Sequence, residues 1–302
     1  MRVVLDCDTA NEIDDQFAIA YALGSSNLDV LGVVSVQNTI ASGPGSRDLY
    51  HEEALRIVEL SGAGGRVPCL KGAGTPMEDD RTPVHSEGLD FLISAASEGP
   101  LTILATGPAT DLASFALIAP SLRQEVRVVW AGAFPNAATW EQKKFGELNA
   151  RADIASWRRL YTAPGPLSVL PGWPAVEQVA VNPASCSVRL RRINSPISIY
   201  LAKILESWTL ARGDVLDMDT VRSMDDPHFL PSAGKVLWDI VNVAAATRPE
   251  TVTFFEEDLP DIDPAGCPDW TKPGRKAQVG LELDAAAILD DFWAALERLP
   301  LG

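Results

Sequence analysis

The chain has 302 residues, 46% of them hydrophobic, and its 41 acidic residues outnumber 25 basic ones for a formal net charge of −16. That length and apolar content can bury a large core in one or two domains. The acidity excludes a nucleic-acid groove or an anionic membrane surface as a partner, since both need the opposite sign; the basic residues cluster only in a short patch at Arg189, Arg191 and Arg192.

No run of about 20 apolar residues is present, so no segment is expected to span a membrane. No secretory signal is visible before the first strand, so none is expected. Cys7, Cys69, Cys186 and Cys267 lie far apart without a C-x-x-C motif, as expected of reduced thiols in a cytoplasmic protein. With three histidines in all (His51, His85, His228), a histidine-based zinc site is not expected.

In chain order, Val3, Val4 and Leu5 predict a buried strand, followed by an acidic loop and a helix marked by Phe17, Ala18, Tyr21 and Ala22. Residues 28–36 (LDVLGVVSV) predict a second strand ending at Gln37-Asn38-Thr39. A helix is expected from the SGPGS loop to about Leu60, then short strand and loop to Pro83, then a helix opened by His85-Ser86-Glu87-Gly88. Residues 101–105 (LTILA) predict a strand ending at Thr106-Gly107-Pro108, with a helix beginning near Thr110. Residues 126–130 (VRVVW) predict the next strand, with loop over 134–145 and a helix capped by Asp153.

Further along, a short strand is expected at 167–170, a long helix over 197–212, a polar loop over 217–231 and a helix over 232–247. Strands near 251–255 and 278–283 then precede a last helix over 285–299. Strands alternating with helices mean βαβ units. The expected fold is therefore α/β, an open and mostly parallel sheet with helices on both faces, in a single domain over 1–302. In such folds ligands bind beyond the carboxyl ends of the strands. The polar clusters at the acidic loop, Asn38, Thr106 and Asn149 all fall there.

Asp6, Asp8, Glu12, Asp14 and Asp15 place five carboxylates within ten residues. Like charges this dense repel, and a fold keeps them together only by protonation or with positive charge among them. A hard divalent cation held by oxygens is the simplest solution. A strand ending in D-x-D resembles two enzyme groups. In haloacid-dehalogenase-like phosphatases, which VVLDCDT fits, the first Asp attacks phosphorus. In nucleoside hydrolases the signature is D-x-D-x-x-x-D-D, and here Asp14-Asp15 follows Asp8 with two extra residues between.

The rest of the chain resembles the nucleoside hydrolases, specifically the inosine-uridine preferring family. LTILATGPATDL is similar to that family's strand followed by T-G-P-L-T-N, and VRVVWAGAF to its V-x-x-M-G-G strand end. Glu147-Leu148-Asn149 with Ala152-Asp153 resembles its E-F-N…x-D-P motif, His85-Ser86-Glu87-Gly88 its H-G-x-x-G turn, and Trp238-Asp239 its late H-D.

The resemblance implies Ca²⁺-dependent hydrolysis of the N-glycosidic bond of a ribonucleoside. Asp8, Asp15 and Asp239 would supply carboxylates to the ion and Thr106 its backbone carbonyl, with Asp8 also the general base toward water. Asp14, Asn38, Asn136, Glu147 and Asn149 would hold ribose hydroxyls, Asn149 counting with Asp8 as catalytic. His85, His228, Trp238, Trp208 and Trp140 would line the base pocket. Asp6 is read as a structural carboxylate accepting backbone N–H groups. A homo-oligomer, dimer or tetramer, is also implied. The chain departs from the family pattern at the inserted loop Thr9-Ala10-Asn11-Glu12-Ile13, at Ala131-Gly132-Ala133, and at Trp238, where a histidine is usual. The D-x-D strand end keeps a Mg²⁺ phosphatase open as an alternative, and the altered loop a non-catalytic Ca²⁺/ribose-binding protein.

Overall fold

The structure is a computed structural model that describes residues 1–212 and 234–301. Its centre is β1 (Arg2–Cys7), whose RVVLDC sequence is buried on both faces. Side chains alternate across a strand. Val3, Leu5 and Cys7 accordingly enter one apolar core, and Val4 enters the other.

Parallel pairing extends the sheet on both sides of β1. On one side lie β2 (Asp29–Ser35) and β3 (Cys69–Lys71). On the other lie β4 (Thr102–Ala105), β5 (Arg127–Ala131) and β6 (Leu167–Leu170). After β7 (Ala180–Val181) and β8 (Lys235–Val236), which pair with each other, come β9 (Val252–Ile262) and β10 (Pro268–Leu283). The eight-stranded order is β3-β2-β1-β4-β5-β6-β10-β9, with β10 parallel to β6 and β9 antiparallel at the edge.

Helices cover both faces. α1 (Asp14–Gly24), α2 (Thr39–Ser42), α3 (Ser46–Leu60), α4 (Glu87–Ser97), α5 (Thr110–Ile118) and α6 (Pro120–Arg123) occupy the first half. α7 (Ala137–Lys143), α8 (Asn149–Ala152), α9 (Ile154–Thr162), α10 (Pro183–Ile193), α11 (Pro196–Arg212), α12 (Ile240–Thr247) and α13 (Ala285–Glu297) follow. Past its first turn α1 is apolar all round, with Phe17 to Tyr21 fully buried. A helix of that kind sits inside the fold, and α1 packs against α3, α12 and α13.

Four expectations are corrected. Residues 134–145 are not all loop, because Asn136 accepts from the Thr139 N–H at 3.0 Å and caps α7. The basic patch Arg189, Arg191 and Arg192 lies on a helix, α10, that the sequence reading did not place. The expected helix over 232–247 begins only at Ile240: Lys235 and Val236 instead pair with Val181 and Ala180, a tertiary pairing that overrides local propensity. The last two strands form one antiparallel hairpin far longer than expected, because the exposed Glu256-Glu257-Asp258 run hides its alternation. The expected loop over 217–231 lies outside the described residues.

Candidate active site

Since β1, β4, β5 and β6 are parallel, their carboxyl ends share one edge of the sheet, and a cavity of about 310 Å³ opens there. That volume suits a small-molecule ligand. Asp8 follows β1, Thr106 follows β4, Gly132 follows β5, and Gly172 and Trp173 follow β6; all line the cavity. Gly107 lets the β4 loop approach: a Cβ there would lie 2.5 Å from Val36 Cγ1 and 3.1 Å from the Asp8 backbone nitrogen.

The cavity floor is acidic. Asp8, Asp14 and Asp15 are each 2% exposed and Asp239 6%. Asp14 and Asp15 open α1, and Asp239 precedes α12, so two helix N-termini, which favour negative charge, meet at the cluster. Asp8 Oδ2 accepts from Asn38 Nδ2 at 2.6 Å and from Asn11 Nδ2 at 3.1 Å. Asp15 Oδ1 accepts from the Thr106 hydroxyl at 2.6 Å, and the Asp8 and Asp15 carboxyls act directly on each other.

Burial pushes Asp8 up to about 6, against the amide bonds that favour its charged form. Asp15 is held well above the ordinary aspartate value by burial and by the charges of Asp8 and Asp14. Asp239 is raised in the same way by burial and by Asp14, Asp15 and Asp8. Asp14 is raised by burial, opposed by the ammonium of Lys235 at 3.3 Å.

The polar wall comes from the segment after α7. Glu147 accepts from the backbone N–H of Asn149 at 3.2 Å and of Ala150 at 2.8 Å. Burial nonetheless lifts its carboxyl to about 7. Asn149 Nδ2 donates to the carbonyls of Thr106 at 2.7 Å and Ala131 at 2.9 Å, tying the ends of β4 and β5 together. Opposite stands an aromatic wall. Trp173 and Trp238 meet edge to face with centroids 5.5 Å apart, and Trp208 lines the same cavity.

The structure thus brings Asp8, Asp14, Asp15, Thr106, Glu147, Asn149, Trp208, Trp238 and Asp239 to one cavity. It places others elsewhere. Asn38 is fully buried, caps α2 through the Ala41 N–H and holds Asp8, but does not line the cavity. Asn136 is an exposed helix cap and His85 is exposed just before the Ser86 cap of α4; neither lines the cavity. Trp140 packs on Phe134 instead, at 5.0 Å. His228 lies outside the described residues. Asp6 does not accept backbone N–H groups: both its oxygens are buried without a partner, and burial with nearby Asp111 and Asp8 holds it well above the ordinary value.

The sequence reading missed Trp173 and gave Lys235 no role in this site. Trp173 was findable, because it follows a predicted strand at the ligand-binding edge. Lys235 carried no motif, and only the fold brings it to Asp14.

The family described as inosine-uridine preferring nucleoside hydrolase matches residues 3–290. The chain belongs to this family. A pyrimidine-specific ribonucleoside hydrolase RihA of Shewanella woodyi is 27% identical over 70% of this chain and 72% of its own length. A probable uridine nucleosidase 2 of Arabidopsis thaliana is 23% identical, with 95% of each chain covered. Among solved structures, a purine-preferring ribonucleoside hydrolase from Gardnerella vaginalis superposes with a TM-score of 0.74 at 20% identity over 98% of each chain. The inosine-uridine preferring nucleoside hydrolase from Bacillus anthracis gives 0.67 at 15% identity over 99% of each.

The nucleoside hydrolase family sets the reaction class, hydrolysis of a ribonucleoside N-glycosidic bond, and the fold matches that of its solved members. The phosphatase alternative falls. It needs the first aspartate of D-x-D as nucleophile, and Asp6 is 1% exposed and does not line the cavity. Among the described residues no helix is long and apolar enough to cross a membrane.

Proposed function

We propose that this nucleoside hydrolase acts with a Ca²⁺ ion and uses Asp8 as general base. The observation that carries the reading is the buried carboxylate cluster at the carboxyl edge of the sheet. Four aspartates, each at most 6% exposed, are all raised above the ordinary value by burial, with the charges of neighbouring carboxylates adding to it. Such a cluster ionises together only beside a strong positive charge.

The donor chemistry fits a hard cation, because the lining offers carboxylate and carbonyl oxygens and, among the described residues, no histidine or thiol. Asp8, Asp15 and Asp239 would hold the ion with the Thr106 carbonyl. Among the described residues no three such groups already converge as a ligand set; Asp8 and Asp15 are turned toward each other and toward Asn38, Asn11 and Thr106. A bound divalent cation supplies positive charge and lowers the pKa of water in its shell.

The chain's own residues do the rest. Asp8, steadied by two amides, takes the proton of the attacking water. Asp14, Glu147 and Asn149 hold sugar hydroxyls and fix C1′ in front of that water. Charge that develops on the ribosyl ring as the bond breaks faces the carboxylates, which stabilise it. Trp238, Trp173 and Trp208 offer apolar faces to the base. The substrate is a free nucleoside or related riboside, and the protein is a homo-oligomer in the cytoplasm.

Asp8→Asn tests the assignment. It removes the base yet keeps a group that the Asn38 and Asn11 side chains can approach. Turnover of inosine, uridine or adenosine, whichever is cleaved, should fall at least about 10²-fold while KM changes little. Turnover near the wild-type value would remove Asp8 from the role. A chain that binds ribose tightly and cleaves nothing in a broad panel would instead be a binding protein.

A further inference from the structure

The two inserted residues Asn11 and Glu12 reach into the site. Ala10 before them adopts φ +83°, a left-handed conformation that costs a non-glycine residue free energy and is found where the surroundings enforce it. The Asn11 N–H closes the turn on the Asp8 carbonyl at 3.0 Å, and its side chain reaches Asp8 Oδ2. Glu12 Oε2 pairs with Lys235 Nζ, whose side chain is 1% exposed, and the same ammonium lies 3.3 Å from Asp14 Oδ1 and 5.4 Å from the Trp208 ring centroid. Lys235 is fixed on β8, four residues before Asp239.

One buried cation therefore links the insertion, the first turn of α1 and the β8 segment. A lone ammonium in this position would be expensive to bury beside a single partner. Glu12 supplies the second carboxylate beside it.

We propose that Lys235 is a positioning residue for Asp14, anchored by the Glu12 that the insertion contributes, and that this pair sets how strongly the site reads one sugar hydroxyl. The proposal rests on the reading of Asp14 as a sugar contact. Lys235 engages Oδ1 of Asp14 and so fixes the plane of the carboxylate. The hydroxyl that Asp14 accepts then meets an oxygen at a set place instead of a rotating one. The insertion is in this account a working part of the site, with Asn11 holding Asp8 and Glu12 holding Lys235.

The test is hydroxyl-selective kinetics. A ribonucleoside that the enzyme cleaves is compared with its 2′-deoxy and 3′-deoxy counterparts, and discrimination is the ratio of their kcat/KM values. Asp14→Asn identifies which hydroxyl Asp14 reads, by loss of discrimination at that position. Lys235→Met should lose about tenfold in discrimination at the same hydroxyl, the worth of one charge-assisted hydrogen bond, while the deoxy substrate is cleaved within about threefold of the wild-type rate.

Lys235→Arg should restore most of the loss. Glu12→Gln, changed at the solvent end of the pair, should show a smaller loss at the same hydroxyl, and it carries the test should Lys235→Met not fold. Equal losses on ribo and deoxy substrates would overturn the proposal, since a merely structural lysine would act on both alike. If Asp14→Asn leaves both discriminations unchanged, the sugar contact of Asp14 is itself wrong and the proposal falls with it. The two failures are thus distinguishable.

Discussion

Glu147 shows how one residue ties stability to the site. Its carboxyl accepts backbone N–H groups of Asn149 and Ala150, which favours the charged form, and the Arg151 charge does the same. Burial outweighs them and lifts it to about 7 from an ordinary 4.5. A carboxyl raised in the folded state contributes stability that is full below its unfolded value and is lost as pH rises through the folded one. In metal-free protein, Glu147 therefore costs stability as pH goes from about 4.5 to about 7, by at most about 1.4 kcal/mol per pH unit. Glu147→Gln should flatten that part of the melting-temperature curve. An unchanged slope would mean that Glu147 is already ionised in the fold.

At this scale the sequence was legible where the chemistry was local. Asp8, Asp14 and Asp15 sit in one loop and the start of one helix, and Glu147 and Asn149 are two residues apart. Asn38 was read as a sugar contact, but a side chain that reaches Asp8 across the sheet edge cannot also be told apart from a lining residue by its position in the sequence. Lys235 is 221 residues from Asp14, and no spacing rule joins them.

At the scale of elements, the site depends on how closely the β4–α5 turn can pass β1. Gly107 meets both Val36 and the Asp8 backbone, and Trp130 Nε1 donates to the Gly107 carbonyl at 3.0 Å. Adding a methyl group here forces two well-packed strands apart, a cost of about 1–3 kcal/mol. Gly107→Ala should lower the melting temperature, because Val36 Cγ1 must give way, and reduce turnover with it, because Asp8 beside the new methyl must shift as well. A variant with wild-type turnover would show that the approach is not needed.

From the other face, Asn242 of α12 donates to the carbonyls of Ala105 at 3.0 Å and Val129 at 3.1 Å, which seats the helix that Asp239 precedes. Periodicity located α1, β1 and β6 closely, because each carries an apolar stretch bounded by strong punctuation. It failed at β8, a two-residue strand formed only by its partner β7, and at α10, whose arginines drew attention to charge instead of to the Cys186 and Leu190 stripe beneath.

For the molecule as a whole, parallel strands gather the polar turns at one edge and leave the apolar mass behind them. The eight-stranded order puts β1 and β4 side by side near the centre, so Asp8 and Thr106 become neighbours without being near in sequence. βαβ alternation predicts that the polar turns share the carboxyl edge of a parallel sheet; which strands adjoin there comes from the structure. The antiparallel edge hairpin did not follow, because its exposed face is acidic and its strands run past any local apolar signal.

The acidic cluster is the global feature that makes a cation necessary in this account, and one measurement tests it most directly. Protein stripped with a chelator and dialysed free of it is assayed for base release from the cleaved nucleoside, before and after Ca²⁺ is returned. Stripping should lower turnover at least about 10²-fold and Ca²⁺ should restore it, with the added ion also raising the melting temperature at pH 7 to 8 through binding to the folded state alone. Full turnover in demonstrably calcium-free protein would contradict it.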